Sequence, residues 1–476
     1  MSGPAEEELL YAGIPELSRR LRARTLSPVA LCEAALARVE AHAPGLHCFV
    51  TVTAERARED ARRAEGELAA GRWRGPLHGL PCGVKDLLDV AGVPTTCGAR
   101  PYAGRVPERD ATLAARLREA GAVLIGKLSL IELAGGLGYH QADAAINGAC
   151  RTPWDLARWA GGSSSGSAAA VAAGLVTFAI GSETWGSITC PSAFCGVTGL
   201  RPTYGVLSRK GAMALSYTLD KLGPMARSAE DCALVLAALA GPDPADPTSI
   251  AAPPGLAAVR AEAARGLRAA VIDLPDKPAV SAATAAAWEK ALAAFERAGL
   301  KLEPARFPDF PWEDLATLFI EAEAGTAFED LIRTGRTRQL ADRSHQEKKP
   351  EDYLPLANAS DYVRAMRLRG EGQRIMSRFL EGRDLVLAPN MPWVAPLVTQ
   401  SLDLLFEGVP DPVGAAGNLC GLPAAAVPMG FAGPGKLPVG LQLMGRPREE
   451  GRVLSAAALF QSVTDFHRQR PPLPLL

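Results

Sequence analysis

The chain has 476 residues, of which 48% are hydrophobic, enough to bury one large core or two ordinary ones. Its 51 basic and 52 acidic residues give a formal net charge of -1 and are interspersed, which argues against a nucleic-acid-binding surface. Nine cysteines without a CxxC pair or a Cys/His cluster at zinc spacing favour free thiols and argue against a structural metal.

The N-terminal region is predicted to be helical. Residues 1–70 are rich in Ala, Arg, Glu and Leu at helical spacing, and Ser27 followed by Pro28 is typical of an N-cap and a first turn. We expect these helices to cover the core. The opening MSGPAEEELL lacks the basic and apolar segments of a secretory signal, so we expect a cytoplasmic location.

Strand and helix patterns alternate in residues 71–240, as in an α/β fold. The segment VKDLLDV is predicted to be a strand or the exit from one, which places Lys85 among apolar residues. A helix near 111–119, the strand AVLIGK and a helix over SLIELAGG follow. A loop that begins with GLGYH then leads into the Gly- and Ser-rich centre of the chain, and its His140 is a candidate to enter a site.

The second half continues the alternation with the strand LRAAVIDL, the helix AATAAAWEKALAAFERAG, and later strands in DLVLAPN, GLPAAAVPMGF and VGLQLMG. Before them, PDPADPTSIAAPPG is predicted to be a domain boundary or a surface loop. The charged segment 337–352 is predicted to be a solvated loop, or alternatively a mobile lid. Because strand ends in α/β folds commonly form pocket walls, Asn390, Met391 and Trp393 are candidate substrate contacts.

Residues 159–205 carry two clusters of Gly and Ser on either side of a predicted helix and strand, so both clusters can meet at one place. The uncharged run 161–182 is long enough to span a bilayer, but its Ala, Gly and Ser content favours a tightly packed internal helix. GSSSG formally matches a nucleophile elbow with Ser164 at its apex, although the required apolar strand does not precede it. A mononucleotide-phosphate loop is the weaker alternative, because neither the dinucleotide nor the Walker fingerprint is present.

Three motifs in this region resemble those of the amidase signature enzymes: GGSSSGSAAAVAAG, GSETWGSITCPSAFCGVTGLRP and, far upstream, LPCGVKD. The likeness extends from LSRRLRARTLSPVALCEAALARVEA to GLPAAAVPMGF and LPVGLQLMGRP and so covers most of the chain. It implies one large α/β domain over 1–476, with a central mixed, twisted β-sheet covered by helices on both faces. Within it we expect a helical cover over about 1–70, a signature core over about 71–240 and a substrate-shaping part over about 241–476.

A serine hydroxyl is a weak nucleophile until a base takes its proton, and no histidine lies near the two Gly/Ser clusters in sequence. A buried lysine can serve as the base when burial lowers its pKa. The resemblance implies Ser187 as nucleophile, Ser163 as a bridging serine after a cis peptide bond, and Lys85 as base. It also implies that the oxyanion is bound by the backbone N–H groups of Thr184, Trp185, Gly186 and Ser187.

The sequence departs from the family next to the nucleophile. Most members carry Gly-Gly-Ser with an Asp before it and an Arg after it, whereas this chain has Glu183, then Trp185, and Thr189 in place of the Arg. We therefore expect no Asp–Arg pair and a pocket that Trp185 narrows or floors. Ser164, Ser165 and Ser167 are predicted to cap the start of a helix and satisfy backbone groups, or alternatively to support the catalytic residues from behind. Asp86 either orients the site or pairs with a neighbour.

Two functions from different classes follow. The first is a free-standing hydrolase of a carboxamide C–N bond, with carbamates (a urethanase activity) or esters as related substrates. We expect an apolar or aryl amide as the substrate and a monomer or homodimer as the assembly. No cofactor, metal, nucleic acid or membrane is expected as a partner. The residues expected to contact the substrate are Gly136, Leu137, Gly138, Tyr139, Met391 and Trp393, beside Trp185.

The alternative is the A subunit of a glutamyl-tRNA amidotransferase, which releases ammonia from glutamine, because the N-terminal half resembles that protein closely. Its glutamine pocket uses an acidic and basic pair within an EVKRR-like segment and an Asp-Ile-Tyr-Thr turn. Here only YVRAMRLRGEGQR and DPVGAAGNL are found, and Asp411 alone falls where the acid of that turn would be. The stand-alone hydrolase is therefore favoured. A catalytically inactive interaction protein is disfavoured, since all three catalytic residue types are present.

Overall fold

The computed structural model describes residues 8–272, 281–353, 358–433 and 435–473. In this part of the chain, eleven strands form one mixed sheet. Their bounds are β1 Phe49–Val52, β2 Pro81–Lys85, β3 Val123–Leu128, β4 Phe178–Glu183, β5 Thr198–Arg201, β6 Lys221–Ala226, β7 Arg268–Ile272, β8 Lys301–Ala305, β9 Leu385–Pro389, β10 Ala424–Ala432 and β11 Leu437–Gly445.

The strand order across the sheet is β1-β3-β2-β4-β6-β5-β10-β11-β9-β7-β8. Two parallel groups, β3-β2-β4 and β9-β7-β8, are joined by antiparallel strands. In β10, Ala424 belongs to one hydrophobic cluster and the next residue, Ala425, to another. Because successive strand residues point to opposite faces, both faces of the sheet are covered. The predicted α/β class with a central mixed sheet is confirmed.

Fourteen helices are described here by their bounds, and their ends follow ordinary capping chemistry. Ser27 accepts a hydrogen bond from the backbone N of Ala30 at 3.1 Å, with Pro28 in the first turn, as predicted. The helices are α1 Ile14–Arg22, α2 Pro28–Leu46, α3 Ala54–Ala69, α4 Thr112–Glu119, α5 Ser165–Ala172, α6 Thr189–Cys195, α7 Ala229–Leu239, α8 Ala282–Ala298, α9 Trp312–Ala327, α10 Glu329–Arg333, α11 Ala359–Phe379, α12 Leu402–Phe406, α13 Pro412–Leu419 and α14 Glu450–Val463.

Helix α5 is buried along its whole length and packs closely against neighbouring backbone. A Cβ at Gly166 would lie 2.3 Å from the carbonyl oxygen of Cys48, so only glycine fits there. The small residues of the central stretch therefore form the packed internal helix that was predicted. None of the described helices combines the length and the apolar character that a membrane crossing requires.

One prediction of local structure was wrong, and a second was right only in part. SLIELAGG is not a regular helix, because Leu133 and Ala134 have φ values of 52° and 55° and the chain turns there. The segment 337–352 is solvated only in part, since nine of its sixteen residues are exposed but Thr337, Asp342 and His345 are buried. The buried carboxylate of Glu132 accepts hydrogen bonds from two backbone N–H groups of this segment, at 2.7 and 2.8 Å, and so fastens it to the protein.

Candidate active site

Lys85 is the last residue of β2, which lies between two parallel neighbours in the sheet, and its side chain has no exposed surface. Its Nζ donates hydrogen bonds to the hydroxyls of Ser163 at 2.7 Å, Ser164 at 2.9 Å and Ser182 at 2.9 Å. Burial lowers the pKa of Lys85 well below its usual value, against the opposing charges of Asp220 and Glu183. The neutral amine is thereby favoured, and a neutral amine can accept a proton.

The two Gly/Ser clusters do meet, and they join Lys85 in one chain of hydrogen bonds. Ser163 follows a cis peptide bond from Gly162, as the resemblance implied, and its Oγ lies 2.9 Å from the Oγ of Ser187. Because a hydroxyl hydrogen can rotate, the same contact lets Ser187 donate to Ser163 and Ser163 donate to a neutral Lys85. The arrangement is therefore able to carry a proton from Ser187 to Lys85.

The loop before Ser187 presents a run of unused backbone donors. Within the described residues, no group accepts a hydrogen bond from the backbone N–H groups of residues 184–187. The next two N–H groups, of Ile188 and Thr189, are both bound by one carboxylate oxygen of Glu183 at 2.9 and 3.0 Å. The N–H groups of residues 184–187 are thus free to donate hydrogen bonds to a bound group.

Glu183 pairs with a base that the sequence motifs did not indicate. Its Oε1 accepts hydrogen bonds from the guanidinium of Arg201 at 2.9 Å and from the amide of Asn418 at 3.1 Å. Burial opposes ionisation, but the charges of Arg201 and Lys221 and these hydrogen bonds lower the pKa of Glu183 to about 2. The Asp–Arg pair expected to be missing from this loop is absent, and Glu183 instead pairs with Arg201, which lies outside the loop on β5.

Replacing Glu183 with Gln is expected to lower the free energy of unfolding by about 3 to 5 kcal/mol at neutral pH, because Arg201 is then left as an unpaired buried charge. The carboxylate's contribution is complete above its unfolded pKa and is lost as the pH falls towards about 2. Denaturant unfolding measures the change. The control Glu33→Gln breaks an exposed pair with Arg58 and should leave stability nearly unchanged. Equal effects of both substitutions would contradict the assignment.

Other polar residues that the sequence singled out have structural partners. Asp86 forms a fully buried ion pair with Lys127 at 2.9 Å, so it pairs with a neighbour. Ser164 occupies the N-cap position of α5, but its side chain makes no cap hydrogen bond and contacts Lys85 instead. Ser165 and Ser167 hydrogen-bond to carbonyl oxygens of neighbouring segments rather than capping the helix. These three serines therefore do not cap the helix, but Ser165 and Ser167 satisfy backbone carbonyl groups as predicted, and Ser164 supports the site through Lys85.

A cavity of about 530 Å³ lies beside the two serines, where Gly162 and Gly186, the residues before Ser163 and Ser187, contribute to its wall. Its lining is mostly apolar and includes Tyr139, Trp159, Trp185, Phe307, Met391 and Phe406.

Of the predicted substrate contacts, the cavity is lined by Tyr139, Trp185, Asn390 and Met391. Gly136, Leu137 and Gly138 are not among its lining residues, and Trp393 packs against Phe406 with 5.7 Å between ring centroids.

Trp185 forms part of the cavity wall and is held by a carboxylate. Its indole Nε1 donates a hydrogen bond to Asp411 Oδ2 at 2.8 Å, and Oδ1 of the same residue accepts the backbone N–H of Gly414. Burial raises the pKa of Asp411 to about 6. Trp185 is thus hydrogen-bonded to Asp411, the carboxylate that falls where the acid of the glutamine pocket would be in the alternative function.

Sequence reasoning missed several residues that the fold brings to the site. Ser182 contacts Lys85 directly, and Asp220 accepts a hydrogen bond from the hydroxyl of Thr184 at 2.6 Å. The only sequence signal for Ser182 was its place at the end of a strand that leads into the nucleophile loop. His140, a candidate for the site, instead hydrogen-bonds to Asp342. No group of three or more potential metal ligands occurs among the described residues.

The sequence model of the family described as Amidase matches residues 30–454. The A subunit of glutamyl-tRNA(Gln) amidotransferase from Anaeromyxobacter sp. (strain K) is 38% identical over 497 aligned residues, which cover 100% of this chain and 99% of that relative.

Among solved structures, native peptide amidase from Stenotrophomonas maltophilia is 30% identical with a TM-score of 0.83, covering 97% of this chain and 98% of the other. The A subunit of glutamyl-tRNA(Gln) amidotransferase from Thermotoga maritima is 28% identical with a TM-score of 0.76, covering 94% of each chain. The family match spans most of the sequence, and the fold agrees with it. The chain therefore belongs to the amidase family and is an enzyme that hydrolyses C–N bonds.

Proposed function

We propose that this protein is a free-standing amidase in which Ser187 is the nucleophile, Ser163 the bridging serine and Lys85 the base. The observation that carries the proposal is the unbroken row of contacts from Lys85 Nζ to Ser163 Oγ at 2.7 Å and on to Ser187 Oγ at 2.9 Å. Distances of this size suit proton transfer between heavy atoms. The complete burial of Lys85 supports its role as a base, because it favours the neutral amine.

In the proposed reaction, Ser187 Oγ attacks the carbonyl carbon of the amide while its proton passes to Ser163 and the proton of Ser163 passes to Lys85. The oxyanion is bound by the free N–H groups of residues 184–187. The tetrahedral intermediate then collapses, the C–N bond breaks, and the protons return along the same path to the leaving amine. Water, deprotonated by the same relay, attacks the acyl-enzyme and releases the carboxylic acid.

The cavity supports an apolar or aryl amide as substrate. Its aromatic and aliphatic walls, with Tyr139, Trp185 and Met391, favour burial of an uncharged group of moderate size. The same nucleophile can attack the carbonyl of a carbamate or an ester, so we include these as secondary substrates. We further propose that the substrate is a small molecule and that the enzyme acts without partner proteins.

Hydrolysis of a small panel by the purified protein tests this function. The panel contains a nitroanilide, an aliphatic primary amide, an aryl carbamate and glutamine, each assayed beside the Ser187→Ala variant. We expect turnover of the first three substrates that disappears in the variant. Turnover that persists in Ser187→Ala would contradict the assignment of the nucleophile.

A second candidate function, that of the A subunit of a glutamyl-tRNA amidotransferase, is favoured by the 38% identity along the full chain and by Asp411 in the cavity wall. The hydrogen bond from Trp185 to Asp411 disfavours this second function, because the carboxylate that would bind the amino group of glutamine already accepts that bond. Activity on glutamine alone, or activity only after partner proteins and tRNA are added, would establish this second function and exclude the first.

A further inference from the structure

One buried amide in the cavity has no partner within the described part of the protein. Gln442 lies in the middle of β11, is 3% exposed and lines the cavity beside Ser163 and Ser187. Among the described residues, no group donates a hydrogen bond to its side chain or accepts one from it. Its amide atoms are not sealed off within the protein but open into the cavity, where a bound ligand can pair with them.

Two other polar residues of the cavity wall are already engaged, and a third reaches solvent. Asn390 donates to the carbonyl oxygen of Thr189 at 2.5 Å, and Asp411 accepts from Trp185 and from Gly414. Arg306 is exposed at the rim. The buried polar groups of this wall that are left for a substrate are therefore the amide of Gln442 and the indole N–H of Trp159, which likewise has no partner among the described residues.

The apolar surroundings of Gln442 leave its amide available to a substrate group that can both donate and accept a hydrogen bond. It pairs across the sheet with Ala388 on β9, and Ile272 on the adjacent β7 also lines the cavity. These apolar neighbours cannot satisfy an amide, and they form an apolar floor around it. A side-chain amide presents one donor and one acceptor in a single plane, which complements a carboxamide, carbamate or ureide group.

Resting on the proposed hydrolysis, we propose that Gln442 determines specificity by exchanging hydrogen bonds with a second carbonyl–NH group of the substrate. The preferred substrates are then amides that carry an amide, carbamate or ureide group inside an otherwise apolar acyl part. The scissile carbonyl lies at Ser187 and the second group lies over β11.

A matched pair of primary amides tests this inference. N-Benzoylglycinamide carries an internal amide, and γ-phenylbutyramide has the same chain length with methylenes in its place. We expect Gln442→Met to lower kcat/KM for the first substrate by at least about 10-fold and to change the second by less than about 3-fold. Comparing the two enzymes on each substrate cancels the intrinsic reactivity of the substrates. Met391→Leu, an apolar change in the same wall, should alter both substrates by a similar factor.

Stability provides a readout that is independent of activity. Gln442→Met replaces an amide that has no partner in the described part of the protein by an apolar side chain in a mostly apolar wall, and we expect it to raise the Tm of the free enzyme by roughly 2 °C. Gln461→Met is the matched control, because Gln461 is 7% exposed and both ends of its amide are hydrogen-bonded, to Ala229 and Thr198. That control should lower the Tm.

Three results would overturn the inference. Gln442→Met could affect both substrates equally, it could lower the Tm as the control does, or both it and Gln442→Leu could fail to fold, which would show a structural role. If the wild-type enzyme hydrolyses both substrates with an unchanged preference in the variant, only the role of Gln442 fails. If the wild-type enzyme hydrolyses neither, and Ser187 is not labelled by a fluorophosphonate, the proposed function fails and this inference with it.

Discussion

Replacing Lys85 with Met is expected to lower kcat by about 10⁴-fold, because the variant keeps the nucleophile but has no base to receive its proton. In the wild-type enzyme, kcat/KM should fall as the pH drops below the depressed pKa of Lys85, since a protonated amine cannot accept a proton. The residual activity of the variant should lack this acidic limb. Steady-state kinetics across the neutral and alkaline range measure both effects.

The Tm of the Lys85→Met variant distinguishes loss of the base from misfolding. Burial lowers the pKa of Lys85 in the folded protein, so between that lowered pKa and the usual pKa of lysine the unfolded chain binds a proton that the folded chain does not. Folding is therefore opposed below the usual pKa of lysine, and stability rises with pH. Lys85→Met removes this cost and should raise the Tm at neutral pH, by an amount that shrinks as the pH increases. A lower Tm with normal activity would contradict the proposed role.

Replacing Ser187 with Ala is expected to have the largest effect, a loss of about 10⁶-fold in kcat, because no covalent acyl-enzyme can form. Ser163→Ala interrupts the relay but leaves the nucleophile, so a loss of about 10⁴-fold is expected, with slow labelling by a fluorophosphonate still detectable. Ser164→Ala is the control, because Ser164 contacts Lys85 at 2.9 Å but gives no path to Ser187. Its loss should be no more than about 10-fold.

The order of these three effects distinguishes the two serines that contact Lys85. Mass spectrometry of the labelled protein should place the fluorophosphonate on Ser187 in the wild-type enzyme and in the Ser163→Ala and Ser164→Ala variants. A label on Ser163 or Ser164, or equal losses in Ser163→Ala and Ser164→Ala, would assign the nucleophile or the relay to a different residue.

Much of the fold was predictable because its signals are local. The N-cap at Ser27 and the helix of residues 282–298 are encoded by neighbouring residues, and the structure places both as expected. SLIELAGG was misassigned because distant partners decide its path. The backbone N of Leu133 donates to the carbonyl oxygen of Cys97, and that of Glu132 donates to Ala144, which a helix of this segment would not allow.

The burial of part of the charged segment 337–352 could likewise not be predicted from its own residues. Its composition predicts solvent exposure, yet Glu132, about two hundred positions earlier in the chain, holds two of its N–H groups. A buried carboxylate lowers its free energy by accepting such bonds, and only the fold brings the two segments together.

The sequence by itself determined the family, the α/β class, and the residue types at positions 85, 163 and 187, because these depend on short motifs and their spacing. The tertiary structure alone decided what surrounds them: the pairing of Glu183 with Arg201, the use of Asp411 by Trp185, and the unpaired amide of Gln442. These contacts join strands and helices far apart in the chain. Their energies depend on burial and on the distance between partners, and neither quantity exists until the sheet has assembled.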